Sequence, residues 1–219
     1  MINLSPGPAP LPMAVVKAYA NGLMNENIIC TSHRSVGTQS FIAQLKSRIR
    51  VLLNLDDCYD VLFLSGSSRE TSLRIFRHCE SMHQNISHYV TGYWSEWASH
   101  QTRSADDPHF RHICLNETVN GIFIDKAHEL PTIADTTSCL FVHPLIQKAA
   151  IWYASGQKIF SMPGFSLMIV DQSVILPESD LYQYMTTHSS CVTPPLHGML
   201  LLHHFLNWLE SLGGGECAF

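Results

Sequence analysis

The stretch YDVLFLSGSSRETSLRIFRHCESM, from Tyr59 to Met82, changes its period partway through. A short apolar run comes first, a turn of small residues follows, and apolar residues then recur at three- and four-residue steps. That is a strand, a loop and a helix in immediate succession. Further apolar runs read as strands: HYVTGYW from His88, FRHICLN from Phe110, GIFID from Gly121, TSCLFV from Thr137, AAIWYAS from Ala149 and FSLMIVD from Phe165. Strands and helices that mix along most of a chain favour an α/β layered sheet over an all-β sandwich.

Three more segments carry helical periodicity: MAVVKAYANGLMN after Pro12, FIAQLKSRIRVLL from Phe41 to Leu53, and a stretch from about His197 to Leu212 that runs into three glycines. The opening SPGPAPLP is an extended arm, because proline fixes φ and pushes each preceding residue out of the helical region. At 219 residues the chain can bury a sizeable core. With 14% charged residues and a net charge of -5 it offers no basic stripe for a nucleic-acid backbone. Seven scattered cysteines form no CxxC pair and suit a reducing compartment. The prolines at the N-terminus leave no signal-peptide core, and no apolar run reaches the ~18 residues needed to span a membrane. The expectation is a soluble, cytoplasmic protein with neither nucleic-acid nor membrane partners.

Several residues could carry chemistry. The turn after VLFL offers backbone amides and a helix dipole to an anion, with Ser68 at its bend and Arg69 adding a charge suited to phosphate; an ordinary strand-to-helix turn has the same form. Lys158 follows an apolar strand, where a lysine serves either as a solvated strand end or, when partly desolvated in a pocket, as an amine that condenses with a carbonyl. Asp135 lies 23 residues earlier, and two neighbouring strand ends can present a carboxylate and an amine to one ligand at the edge of an open sheet. Pyridoxal phosphate needs that pair together with a phosphate cradle. Trp94 could stack on a flat heterocycle, although tryptophans such as Trp94 and Trp97 also serve as core. His33 and Arg34 form a cationic pair suited to an anion or to a surface loop. The His78, Cys79, His83 and His88 cluster lacks HExxH or a second ligand pair, so no metal site is expected. GSS does not complete a nucleophile elbow.

In this order the pieces NLSPGPAPLP, TSHRS, YDVLFLSGSSRE, TGYWSEWA, LNETVNGI, ADTTS, YASGQK, PGFSLMIV and TPP resemble the phosphoserine aminotransferase family, class V, fold-type I enzymes that use pyridoxal phosphate. The resemblance is collinear from Asn3 to about Leu212. It implies a three-layer α/β/α large domain with a mostly parallel mixed sheet over residues 1–212, a tail at 213–219, and no C-terminal small domain. By the same resemblance Lys158 is the Schiff-base lysine and Gln157 a cofactor contact. Asp135 partners the pyridine nitrogen, Trp94 stacks on the ring, Ser68 and Arg69 take the phosphate, and Thr118 contacts the cofactor. Thr193 reaches the phosphate from the neighbouring subunit of a homodimer, and His33 and Arg34 bind the substrate anion. The implied reaction is transamination of an amino acid and a 2-oxo acid, phosphoserine or phosphohydroxypyruvate with glutamate or 2-oxoglutarate, in serine biosynthesis. The chain departs from the family at the phosphate turn, where Ser67, Ser68 and Glu70 replace glycine-rich sequence, at Val192 in place of an asparagine, and at Pro6 in place of a serine.

Overall fold

The computed structural model describes residues 6–25, 27–103, 106–124, 129–143, 149–174 and 193–213. Val192 and the tail from 214 onward lie outside them. Helix α1 (Met13–Asn25) starts just after Pro12, and α2 (Val36–Leu52) is capped by Ser35, whose side chain accepts the Thr38 amide. Strand β1 (Tyr59–Ser65) leads through the small-residue turn into α3 (Ser68–Ser81). There the Ser67 hydroxyl accepts the Glu70 amide while the Glu70 carboxylate accepts the Ser67 amide, a reciprocal cap that sets the helix start.

Strand β2 (Ile86–Tyr89), helix α4 (Tyr93–Ser99) and strand β3 (Phe110–Cys114) come next, followed by the short β4 (Asn116–Glu117) and β5 (Ile122–Phe123). The described chain then runs through β6 (Thr132–Asp135), β7 (Ala149–Ser155), β8 (Phe165–Asp171) and α5 (Leu196–Ser211). Six strands form one sheet in the order β1-β8-β7-β6-β3-β2. Pairs β7/β6, β6/β3 and β3/β2 are parallel, and β8 alone is antiparallel to its neighbours. Strands β4 and β5 pair separately.

Helices cover both faces of the sheet. On one, Val15 of α1, Ile42 and Leu45 of α2, and Met199 and Phe205 of α5 pack on Val61, Ala154 and Leu167. On the other, Ile75 and Phe76 of α3 and Ala98 of α4 pack on Leu62, Ile151 and Met168. This is the expected three-layer α/β/α sandwich with a mostly parallel mixed sheet. Burial on both faces explains why β7 and β8 read as unbroken apolar runs instead of alternating ones. No described helix is long and apolar enough to cross a membrane.

Two expected strands are corrected. HYVTGYW is extended only as far as Tyr89, and its GYW opens α4, because the side chains of Glu117 and Asn120 take the amides of that helix's first turn. TSCLFV is a series of turns, and the strand is the preceding Thr132–Asp135. The Thr136 hydroxyl and amide both bond the Tyr153 carbonyl, and the Cys139 and Leu140 amides fold back onto the Thr136 carbonyl. Phe141 then turns inward at φ 68° against Phe160 and Phe205. Apolar content there marks a buried turn, which periodicity cannot distinguish from a strand over so short a run.

Between β2 and β3, His88 lies opposite His112 in register, and both rings meet the edge or face of Phe76. Burial first, and the Arg111 charge second, push the His88 pKa down from 6.5 to about 4. The unfolded chain therefore binds a proton near pH 6.5 that the folded chain refuses, so stability falls as pH drops from 6.5 to about 4. Urea midpoints measured at pH 7 and pH 5 should decrease accordingly, and His88→Gln should reduce the difference. An identical difference in the variant would show that His88 does not titrate on unfolding.

Candidate active site

The parallel strands end along one edge of the sheet, and the loops that follow them carry the polar residues. Cys114 ends β3 opposite Asp135 at the end of β6, and Asp135 lies opposite Tyr153 on β7. Beyond β7 a single 3-10 turn, Gly156–Lys158, brings Gln157 and Lys158 back over that edge. Ser68, at the start of α3, and Trp94, in α4, come from the other side. These elements border a small, partly open cleft lined by Ser68, Trp94, Asp135, Gln157 and Lys158 together with Cys114, Asn116, Thr137 and Ser138.

Within the cleft the Lys158 Nζ donates to Thr118 Oγ1 at 2.8 Å and lies 5.7 Å from the centre of the Trp94 ring. Thr118 Oγ1 also accepts the Trp94 indole N–H at 3.3 Å, so one hydroxyl ties the amine to the aromatic plate. Asp135 Oδ1 accepts the Thr137 amide at 2.9 Å. Burial raises the Asp135 pKa, while the Thr137 bonds and the Lys158 charge pull it back. Burial lowers the Lys158 pKa, and the Asp135 carboxylate is the foremost of the charges opposing that shift. Each group thus supports the charged form of the other, and each is readily neutralised where desolvation gains. Burial also pushes the Cys114 thiol far up, which keeps it an inert wall.

Arg69 spreads over both indoles, its guanidinium 5.1 Å from Trp94 and 5.0 Å from Trp97. This fixes Trp94 from the side of α3. From the other side Trp94 is fixed by Glu117, which sequence reasoning did not single out. Its fully buried carboxylate accepts the Trp94 amide at 2.9 Å, the Ser95 amide at 2.8 Å and the Ser95 hydroxyl at 2.6 Å. Gly92 is required for that approach, since a Cβ there would lie 2.8 Å from Glu117 Cδ and 2.5 Å from Asn120 Oδ1. The signal was the NETVNG run, a polar stretch entering an otherwise apolar region.

The remaining candidates stand outside the cleft's lining. His33 and Arg34 precede α2, with the His33 carbonyl accepting from Gln39 at 2.5 Å and Arg34 exposed. Thr193 is exposed ahead of α5. At the phosphate turn, α3 geometry leaves the Ser68 and Arg69 amides without intrahelical partners, but Glu70 holds the Ser67 amide at 2.7 Å and its own pKa falls as a result.

A parallel sheet with an amine, a carboxylate, an aromatic plate and a helix start gathered at its strand ends is an arrangement suited to pyridoxal phosphate. No family model matches. The phosphoserine aminotransferase of Legionella pneumophila is 25% identical over the whole of this chain and 72% of its own length. A solved phosphoserine aminotransferase, studied for radiation damage of its Schiff base, is 25% identical with a TM-score of 0.82 over 100% of this chain and 72% of that one. Pyridoxal-phosphate-bound phosphoserine aminotransferase from Trichomonas vaginalis shares the fold at a TM-score of 0.84 and 22% identity, over 99% of this chain and 77% of that one. The chain is a homologue of the phosphoserine aminotransferases along its full length.

Glu70 gives the site a specific test. Glu70→Gln keeps a side chain able to reach the Ser67 amide and removes the negative charge beside the phosphate turn. Cofactor titration should show about three- to tenfold tighter pyridoxal phosphate binding, on the scale of one charge at a helix N-terminus, with the melting temperature nearly unchanged. Equal affinity would place the phosphate elsewhere.

Proposed function

We propose that the chain is a pyridoxal-phosphate-dependent aminotransferase that interconverts phosphoserine and 3-phosphohydroxypyruvate with glutamate and 2-oxoglutarate, as in serine biosynthesis. The observation that carries this reading is the Lys158–Thr118–Trp94 arrangement set against Asp135 in one cleft.

The donor set fits the cofactor. Lys158 offers a partly desolvated amine for the aldehyde, Asp135 a buried carboxylate for the ring nitrogen, Trp94 a plate for the ring, and Ser68 and Arg69 free first-turn amides for the phosphate. Gln157 and Thr118 complete the contacts. When bound, pyridoxal phosphate supplies a carbonyl that captures an amino group and a ring that accepts electrons from Cα.

The chain's own residues do the rest. Asp135, whose charged form Thr137 and Lys158 support against burial, would hold a proton on the ring nitrogen and so favour electron uptake. Lys158 Nζ, its pKa lowered by burial, removes the proton from the substrate Cα and returns it on the other side of the exchange. Trp94 restricts the ring to one plane, which fixes the bond to be broken relative to that amine. His33 and Arg34 would receive the substrate's anionic group, and Thr193 would reach the phosphate from a second subunit of a homodimer. Residues 1–212 would form the cofactor-binding large domain, with 213–219 a tail, in a cytoplasmic enzyme.

Glu70 supports a second reading, a homologue that retains cofactor and turns over weakly, because its carboxylate occupies an amide of the phosphate turn. Absorbance of the purified protein with pyridoxal phosphate separates the two. A visible band that depends on Lys158 and is converted by phosphoserine, with release of a 2-oxo acid, is the expected result. Lys158→Ala should lose the band and at least ~1000-fold of the activity, the scale of a lost nucleophile and base. A band that phosphoserine leaves unchanged would establish the second reading, and no band in folded protein would remove both.

A further inference from the structure

Beside Asp135 the interior contains a line of polar side chains that the reaction above does not use. Thr102 Oγ1 lies 2.7 Å from His88 Nε2, His88 Nδ1 lies 3.2 Å from His112 Nδ1, and His112 Nε2 lies 2.8 Å from the Tyr153 hydroxyl. Tyr153 stands opposite Asp135 in the β6/β7 register, so the two side chains leave the same face of the sheet beside each other. His112 and Tyr153 are 1% and 2% exposed, so neither can be satisfied by bulk water. At the far end, Thr102 lines an open cleft with Phe76, Gln84, Ile86 and His100.

The donors and acceptors leave two arrangements. With both imidazoles neutral, each link shares one proton, so the direction of one bond sets all the others. In the outward direction Tyr153 donates to His112 Nε2, His112 Nδ1–H to His88, and His88 Nε2–H to Thr102. The phenol then turns lone pairs to Asp135, which must carry a proton of its own. In the inward direction Thr102 donates to His88 Nε2, His88 Nδ1–H to His112 Nδ1, His112 Nε2–H to Tyr153, and Tyr153 O–H to an ionised Asp135. Passing from inward to outward moves one proton along each link, takes one from solvent at Thr102 and delivers one to Asp135.

We propose that Thr102, His88, His112 and Tyr153 form a proton relay that sets the charge of Asp135 from the same face of the sheet, with Tyr153 and His112 as its positioning residues. Its consequence for a bound ring nitrogen rests on the cofactor reading above. A protonated ring nitrogen demands an ionised Asp135, so its binding selects the inward direction and fixes His112 as the Nε2–H tautomer. The other groups facing the relay are few. Arg111 lies near His88 and disfavours its protonation, Phe76 meets both imidazoles, and the buried Cys114 thiol and Ser72 of α3 lie near Tyr153. None of them supplies a competing carboxylate along the line.

The test uses histidine side-chain 15N spectra of the full chain, free and with pyridoxal phosphate. In the free protein Tyr153→Phe should shift the His88 ring nitrogens, two links away, as well as those of His112; an unmoved His88 would overturn the relay regardless of any cofactor. With pyridoxal phosphate bound, His112 should show Nε2 protonated and Nδ1 unprotonated, and the opposite tautomer would overturn the inward direction. The pH midpoint of the bound cofactor's visible absorbance should move by about one unit in Tyr153→Phe, the scale of one hydrogen bond to a charged group, and by less in His88→Gln. A midpoint that stays put in a variant that still binds pyridoxal phosphate would break the link to Asp135. Failure of the wild-type chain to bind it, with His88 still responding to Tyr153→Phe, would overturn the cofactor reading and leave the relay standing. Should Tyr153→Phe not fold, the tautomer of the unmodified protein still decides.

Discussion

The parallel register of β3, β6 and β7 is the constraint on which the rest of the site depends. It brings Cys114, Asp135 and Tyr153 to one level, with β3 and β6 ending there and β7 two residues further on, so the loops that follow converge on a common cleft. A one-residue slip of β6 would turn Asp135 toward the opposite helix layer and bury an unpaired carboxylate among aliphatic side chains. The antiparallel β8 strengthens this frame. It zips β7 to β1, so the strand carrying Lys158 and the strand that leads to Ser68 share one neighbour.

On that frame the site separates its charges by depth. Asp135 and Glu117 are both carboxylates near one cleft, yet they do different work because their partners differ. Glu117 spends its acceptors on amides and a hydroxyl of α4, and so serves to hold Trp94 in place. Asp135 accepts the Thr137 amide and keeps acceptor capacity for a ligand. Lys158 answers Asp135 from across the cleft, and Thr118 holds the amine until a carbonyl arrives. Among the described residues neither charge is matched in a contact ion pair.

Much of this was readable in the residues. Helix α1 and strands β7 and β8 follow from apolar runs bounded by Pro, Gly and polar turns. Lys158 and Ser68 stood out as a charged and a small residue just past apolar strands, Asp135 as a carboxylate 23 residues before Lys158, and Trp94 as an aromatic face suited to a flat ring. What stayed hidden belongs to pairings between distant segments. Tyr153 reads as one more apolar strand residue, and His112 as one polar letter in FRHICLN. Only the parallel pairing of their strands aligns them with each other and with Asp135. Glu117 was hidden for a related reason: its partners lie more than 20 residues away in α4, and the pull of those amides turned an expected strand into a helix. The buried turn after Asp135 misled because apolar content reports burial and not backbone direction.

The proline-rich arm supplies the last element. The Ala9 amide donates to the Gln157 carbonyl at 3.1 Å, which lays the arm along the turn that carries Lys158. Gly7 adopts φ 112°, and a Cβ there would sit 3.2 Å from both Lys158 Cε and Cγ. Only glycine accepts that backbone and that contact together. The arm therefore covers the stem of the lysine while its amine stays in the cleft, and covering the stem is part of what desolvates the amine. Prolines hold this cover extended at little entropic cost, since their φ is already fixed. A segment that reads as an extended arm in this way contributes to the burial that lowers the Lys158 pKa, because a lysine left in water would keep its proton.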